Sequence, residues 1–180
     1  MSRAAVIGSG DSWRILLSVE TTNDATPPAY VVRRATLEDV GFLTDVVFAA
    51  TEAQGRVSKE FDESGWRESF SESTKQQIRG EVPNCTANVI EFDNRSIGRL
   101  RVTRSRHRIE MNGIQLLPSF QGRGIGTAII ESLKVEAKDA GIDLDISVEK
   151  DNPSARRLYE RLAFTTIGED DREYHLRWHG

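Results

Sequence analysis

Residues 121–141 read QGRGIGTAIIESLKVEAKDAG. Glycine stands at 122, 124 and 126, and Ile125, Ala128, Ile129, Leu133 and Ala137 then recur at helical spacing as far as Gly141. The pattern predicts a glycine-rich turn opening into an amphipathic helix that ends on a left-handed glycine cap. A helix start leaves backbone N–H groups without partners, and the helix dipole places partial positive charge there. Glycine lets an anion approach closely, because no Cβ intervenes. The N–H groups of residues 121–127 are therefore a candidate pyrophosphate grip. The spacing is neither that of a Walker loop nor Gly-x-Gly-x-x-Gly, and taken alone it also fits a connection that binds nothing.

Downstream of this turn, Leu144, Ile146 and Val148 alternate with Asp143, Asp145 and Ser147, the mark of a strand with one face in the core. Asn152-Pro153 then starts a helix with Ala155, Leu158, Tyr159 and Leu162 as its apolar stripe. FTTIG and EYHLRW supply two closing strands. Upstream, YVVRRAT reads as a strand, and Thr36 caps a helix whose stripe is Val40, Leu43, Val47 and Ala50. A second helical region carries Phe61, Trp66 and Phe70 and runs to about Gln77. Two β-rich runs meet at Asp93-Asn94 as a hairpin, and RIEMNGIQLLP follows as a strand in which Gly113 marks a bulge. The sum is an α/β chain of the α+β type: a mixed, mostly antiparallel sheet of about six to seven strands, flanked by about four helices.

The chain has 180 residues, enough for one domain with a sizeable core. Its net charge of -4 speaks against general nucleic-acid binding, and no apolar run approaches membrane-spanning length. A single cysteine, Cys85, forms no internal disulfide, and the first residues lack a secretory pattern, so the cytoplasm is the expected compartment. Residues 1–29 read as an extension, with room for one extra strand, and residues 30–180 as the compact domain. Within the extension, Gly8-Ser9-Gly10 imitates a dinucleotide-binding turn, but Trp13 occupies the place of the third glycine and no helix follows.

LLPSFQGRGIGTAII, residues 116–130, resembles the acetyl-coenzyme A signature of the GCN5-related N-acetyltransferase (GNAT) superfamily, with Gln121, Gly124 and Gly126 on its Gln/Arg-x-x-Gly-x-Gly/Ala core. NPSARRLYERLAF, residues 152–164, is similar to the family's second element, except that Ala163 stands where glycine is usual. The likeness covers roughly residues 30–178, and it implies a single GNAT-like domain in which acetyl-coenzyme A and an amine meet in a ternary complex. It implies that Gln121, Gly122, Arg123, Gly124, Ile125, Gly126 and Thr127 hold the cofactor's phosphates, with Arg123 either adding charge or merely solvated. It also implies that the preceding strand splays from the next, and that the backbones of Leu116 and Leu117 pair with the pantetheine arm. Tyr159 is the expected proton donor to the leaving thiolate, and Asn152 caps its helix or also orients the arm.

The base is not readable from sequence: Glu110 is one candidate and Glu149 a weaker one, and each is equally a solvated or paired carboxylate. A covalent route through Cys85 is a minor alternative. His107, His175 and His179 lack ligand spacing, so no metal is expected. Arg101, Arg104, Arg106 and Arg108 read as a solvated hairpin edge. Phe61 and Trp66 either border the acceptor pocket or form core. The expected partner is an amine-bearing small molecule or peptide, with no nucleic acid and no membrane, the chain being a monomer or homodimer. The competing reading is a module that binds or senses acyl-coenzyme A without turnover.

Overall fold

The computed structural model describes the backbone of residues 4–7, 12–17 and 29–180, with side chains from Tyr30 onward. The Gly8-Ser9-Gly10 sequence and the turn-rich segment 21–28 lie outside the described residues. Strand β1 (Ala4–Ile7) pairs antiparallel with β2 (Ser12–Leu17), and β2 with β3 (Ala29–Arg34). From β3 the elements follow the expected order. They are α1 (Val40–Ala53), α2 (Glu63–Ile78), β4 (Cys85–Phe92), β5 (Arg95–Arg104), β6 (Arg108–Leu116), α3 (Ile125–Ala140), β7 (Asp143–Glu149), α4 (Pro153–Arg161), β8 (Thr165–Glu169) and β9 (Glu173–Trp178). Among the described residues the sheet has nine strands in the order β1-β2-β3-β4-β5-β6-β7-β9-β8. β3 to β9 are the strands anticipated for the domain, and β1 and β2 lengthen one edge. Among these described strands only β6 and β7 pair in parallel, as the α3 crossover between them requires. Among the described residues no helix is long and apolar enough to cross a membrane.

Local chemistry sets the pieces. The β4–β5 hairpin turns on Asp93 and Asn94, at φ 49° and 57°, the left-handed pair that a two-residue turn needs and that these side chains tolerate. Before α1, the Asp39 carboxylate accepts from the Thr36 N–H at 2.7 Å and is gripped by Arg33 at 2.8 Å, which holds it down at about 2. One face of the sheet packs on α3 and α4, with Ile109, Met111, Ile146 and Val148 against Ile129 and Leu133. The other face carries α1 and α2 over β4, β5 and β6. In α1 it is Val46, fully buried, rather than Val47 that joins Leu43 and Ala50 in the core.

α4 ends on Ala163 at φ 62°, so the residue that departs from the glycine pattern does take the left-handed conformation. A Cβ there costs roughly 1 kcal/mol. Ala163→Gly is expected to raise stability by up to about that amount, read as a higher urea midpoint at unchanged slope. A lower midpoint would show that this cap is not strained.

Candidate active site

The parallel ladder between β6 and β7 is short. It runs from Arg108↔Asp143 to Met111↔Ile146 and stops, while β6 stays with β5 as far as Leu116 and β7 with β9 as far as Glu149. The two strands therefore diverge toward their C-terminal ends, and a bulge at Asn112 bends β6 at the vertex of the split. The Leu117 N–H donates to Ile97 O at 2.8 Å, so it belongs to the sheet and is not offered to a ligand. Alternate residues of a ladder point their backbone groups opposite ways. Leu116 thus faces the split, where its carbonyl accepts the Gln121 side-chain Nε2 at 2.9 Å and pins the next turn to the strand.

That turn passes through a 3-10 segment, Pro118–Phe120, then Gly122 at φ 71° and Gly124 at φ 80°, before Ile125 buries itself and α3 begins. The first backbone bond of the helix is Ala128 N–H to Gly124 O, and the Gln121 N–H goes to Pro118 O. Among the described residues, nothing accepts from the N–H groups of residues 122–127. A Cβ on Gly122 or Gly124 would meet nothing within 4 Å, so both face open space. The Arg123 guanidinium lies 4.9 Å from the Phe120 ring centre. A run of unpaired donors at a helix start, open to solvent and free of side-chain bulk, suits a diphosphate.

Asn152 caps α4, its Oδ1 accepting from Ala155 N at 3.1 Å, and its Nδ2 lies 3.5 Å from Gln54 at the end of α1. Tyr159 is 7% exposed and packs beside Phe164 in the same core as Met111, Ile146 and Val148. Burial pushes its phenol up to about 12. Glu110 alternates with the buried Ile109 and Met111 and so points from the opposite face. Its carboxylate is bound by Arg108, which also approaches Asp145 at 3.7 Å. Glu149 is bound by Arg56, itself 2.9 Å from Asp151, so an ion-pair strap ties the α1–α2 loop to the end of β7.

On the face that carries Glu110, a cleft of about 390 Å³ opens beside the vertex, bordered by Glu110, Met111, Asn112, Ile146, Ser147 and His175. Ser147 and His175 were not singled out as site residues from the sequence. Their alternation on β7 and β9 is visible there, but their contact depends on β9 inserting between β7 and β8. The arginines of β5 and β6 are a correction to the edge reading, since both strands are interior to the sheet. Arg104 pairs with Glu136 of α3 at 2.6 Å, and Arg101 donates to Asn112 O at 3.2 Å. Phe61 and Trp66 join Phe48 and Phe70 in an aromatic cluster between α1 and α2, with Phe61 exposed at its margin. Beneath Phe70 lies Arg99, 3% exposed and without a carboxylate partner among the described residues, bonded to Gln115 at 3.1 Å. Burial lowers its pKa to about 10. Cys85 is half-buried at the start of β4.

Residues 52–164 match the sequence model of the Acetyltransferase (GNAT) family. The PaiA N-acetyltransferase of Thermoplasma acidophilum, solved in complex with coenzyme A, is similar in fold at TM-score 0.70 and 20% identity, over 84% of this chain and 99% of that one. A Salmonella typhimurium acetyltransferase that modifies the N-terminal serine of ribosomal protein L7/L12 aligns at TM-score 0.61 and 18% identity, over 84% and 95%. A GNAT family acetyltransferase of Elizabethkingia anophelis with acetyl-CoA bound aligns at TM-score 0.51 and 16% identity, over 60% and 84%. No curated protein sequence matches the chain.

Proposed function

The chain belongs to the GNAT acetyltransferase family, and from that premise we propose that it moves an acetyl group from acetyl-coenzyme A to a primary amine of a small molecule or peptide. The observation that carries the reading is the union of two features on one strand. Unpaired N–H groups stand at the far end of the β6–β7 split, and the reacting cleft opens at its vertex. The five steps from Met111 to Leu116 span roughly 17 Å, a path along which an extended arm is held by backbone pairing. Proteins of the same fold were solved with coenzyme A and with acetyl-CoA bound, which supports the choice of cosubstrate.

In this reading residues 122–127 hold the diphosphate, Arg123 adds charge at its margin, and Leu116 lines the arm. The acceptor approaches from the cleft. Its nitrogen lone pair attacks the thioester carbon, the C–N bond forms, and the C–S bond breaks with its electron pair moving to sulfur. Tyr159 donates the proton that the thiolate takes. Burial keeps that phenol protonated throughout the physiological range, so it is always charged with a proton to give. Glu110 borders the cleft with its carboxylate engaged by Arg108.

The test is thiol release from acetyl-coenzyme A with a panel of polyamines, amino acids, aminoglycosides and a peptide beginning with serine, the products being identified by mass. Amine-stimulated release with an acetylated product supports the reading. Tight binding of acetyl-coenzyme A with no release across the panel would instead make the chain an acyl-coenzyme A sensor.

A further inference from the structure

Three side chains beside the vertex of the split form a chain of contacts. Ser147 is the first residue of β7 past its last pair with β6, on the cleft side of the sheet. Its Oγ lies 3.0 Å from Nδ1 of His175, its register partner on β9. His175 Nε2 lies 3.2 Å from an Asp170 carboxylate oxygen in the β8–β9 turn. Asp170 is itself fixed in place, accepting the N–H groups of Arg172 and Glu173 at 2.8 Å each. These bonds hold its carboxyl below the usual range, so it stays anionic.

The tautomer that satisfies both contacts carries its proton on Nε2, donates to Asp170 and presents a bare Nδ1 to the Ser147 hydroxyl. The serine hydroxyl can therefore accept a proton from a group in the cleft while passing its own to the ring. We infer that His175 is the terminal proton acceptor for the attacking amine, reached through Ser147 Oγ, with Asp170 as the positioning residue. The inference rests on the acetyl-transfer reading above and deepens it. Before attack, the ammonium form of the acceptor passes one N–H proton to Ser147 Oγ while the serine proton passes to Nδ1, leaving a neutral amine. The second N–H proton, made acidic as the C–N bond forms, replaces the one that Tyr159 gives to the thiolate. The resulting imidazolium faces Asp170, and it returns its proton to water after the amide leaves. Glu110 lies in the same cleft, but its carboxylate is taken up by Arg108.

Charged groups lie around His175. They are Asp170 and Glu173 from its own hairpin, Asp145 from β7, Arg108 and Glu110 from β6, and Arg177 further along β9. The Lys150–Glu169 pair lies at the end of β8, at 3.2 Å.

The experiment compares His175→Gln, Ser147→Ala and Asp170→Asn with the wild type, using the best primary amine of the panel and, separately, hydroxylamine, which is already neutral at pH 7. Retained coenzyme A affinity verifies folding, and His175→Asn stands in should the glutamine variant fail to fold. Loss of the terminal acceptor should lower kcat with the primary amine by about a hundredfold, with KM for acetyl-coenzyme A unchanged, while hydroxylamine turnover is largely spared. Asp170→Asn should move the acid limb of the kcat/KM profile to lower pH, because the imidazolium loses its carboxylate. Wild-type kcat in His175→Gln, an equal loss with both nucleophiles, or an unmoved acid limb would overturn the relay alone. An acetyl group found on Ser147 in a single turnover would replace it with a covalent route. A wild type inert toward every acceptor would overturn acetyl transfer itself.

Discussion

Tyr159→Phe is expected to slow the single-turnover rate at saturating acetyl-coenzyme A by about a hundredfold or more, with little change in coenzyme A affinity. The ring stays and so does its packing beside Phe164, at 6.0 Å between ring centres. Only the hydroxyl is lost, and with it the proton donor. A wild-type chemical step would remove Tyr159 from the chemistry, with water or substrate protonating the thiolate. The same substitution has a signature in stability. The folded-state phenol, at about 12, lies above its ordinary 10. Its contribution is therefore fully present below about pH 10 and is lost as pH rises through about 12, amounting to roughly 2–3 kcal/mol. The phenylalanine variant should lack that alkaline loss in urea titrations. Tyr159→Ala, by contrast, empties a core site and should destabilise by roughly 3–5 kcal/mol at any pH.

Gly126→Leu should separate folding from binding. Gly126 has ordinary helical backbone, and a Cβ there would sit 3.9 Å from Ile114 Cδ1, a normal contact. Removing a glycine from the first turn of α3 should raise stability by up to about 1 kcal/mol. The new side chain occupies the approach to the unpaired N–H groups, so coenzyme A affinity should fall at least about tenfold, or roughly 1.4 kcal/mol. Gly124→Leu would lose affinity and stability together, because φ is 80° there. Titration calorimetry on the folded variants measures both effects. Affinity unchanged in Gly126→Leu would mean that the phosphates bind elsewhere.

The sequence was most legible where structure is written in neighbouring residues. Glycines, helix stripe and glycine cap fixed the 121–141 segment, and Asp93-Asn94 announced its hairpin because left-handed backbone is a property of two adjacent residues. Alternation found β7, and EYHLRW read as a closing strand, yet neither could say that β9 lies beside β7 with β8 outside it. That choice brings Ser147 to His175 across 28 positions, and no local preference encodes it. The arginines of β5 and β6 misled for a related reason. A run of exposed-looking charges fits an edge, and only the strand order shows those strands to be interior, with Arg104 answered by Glu136 on a helix. Leu117 shows the limit at one residue, since which neighbour takes an N–H depends on the ladder's phase, set here by the bond to Ile97.

The divergence of β6 and β7 also bears on how this molecule avoids its own kind. Unpaired strand backbone invites other chains to add themselves, and proteins usually protect it at the rim of a sheet with charge, bulges or cover. Here it lies within the sheet, between two strands still zipped together at one end by Arg108↔Asp143 to Met111↔Ile146. A strand entering such a wedge could not pair along its whole length with both sides, because the gap closes at Met111↔Ile146. Unpaired strand backbone thus sits inside the sheet, away from the rim where a neighbouring protein would add a strand.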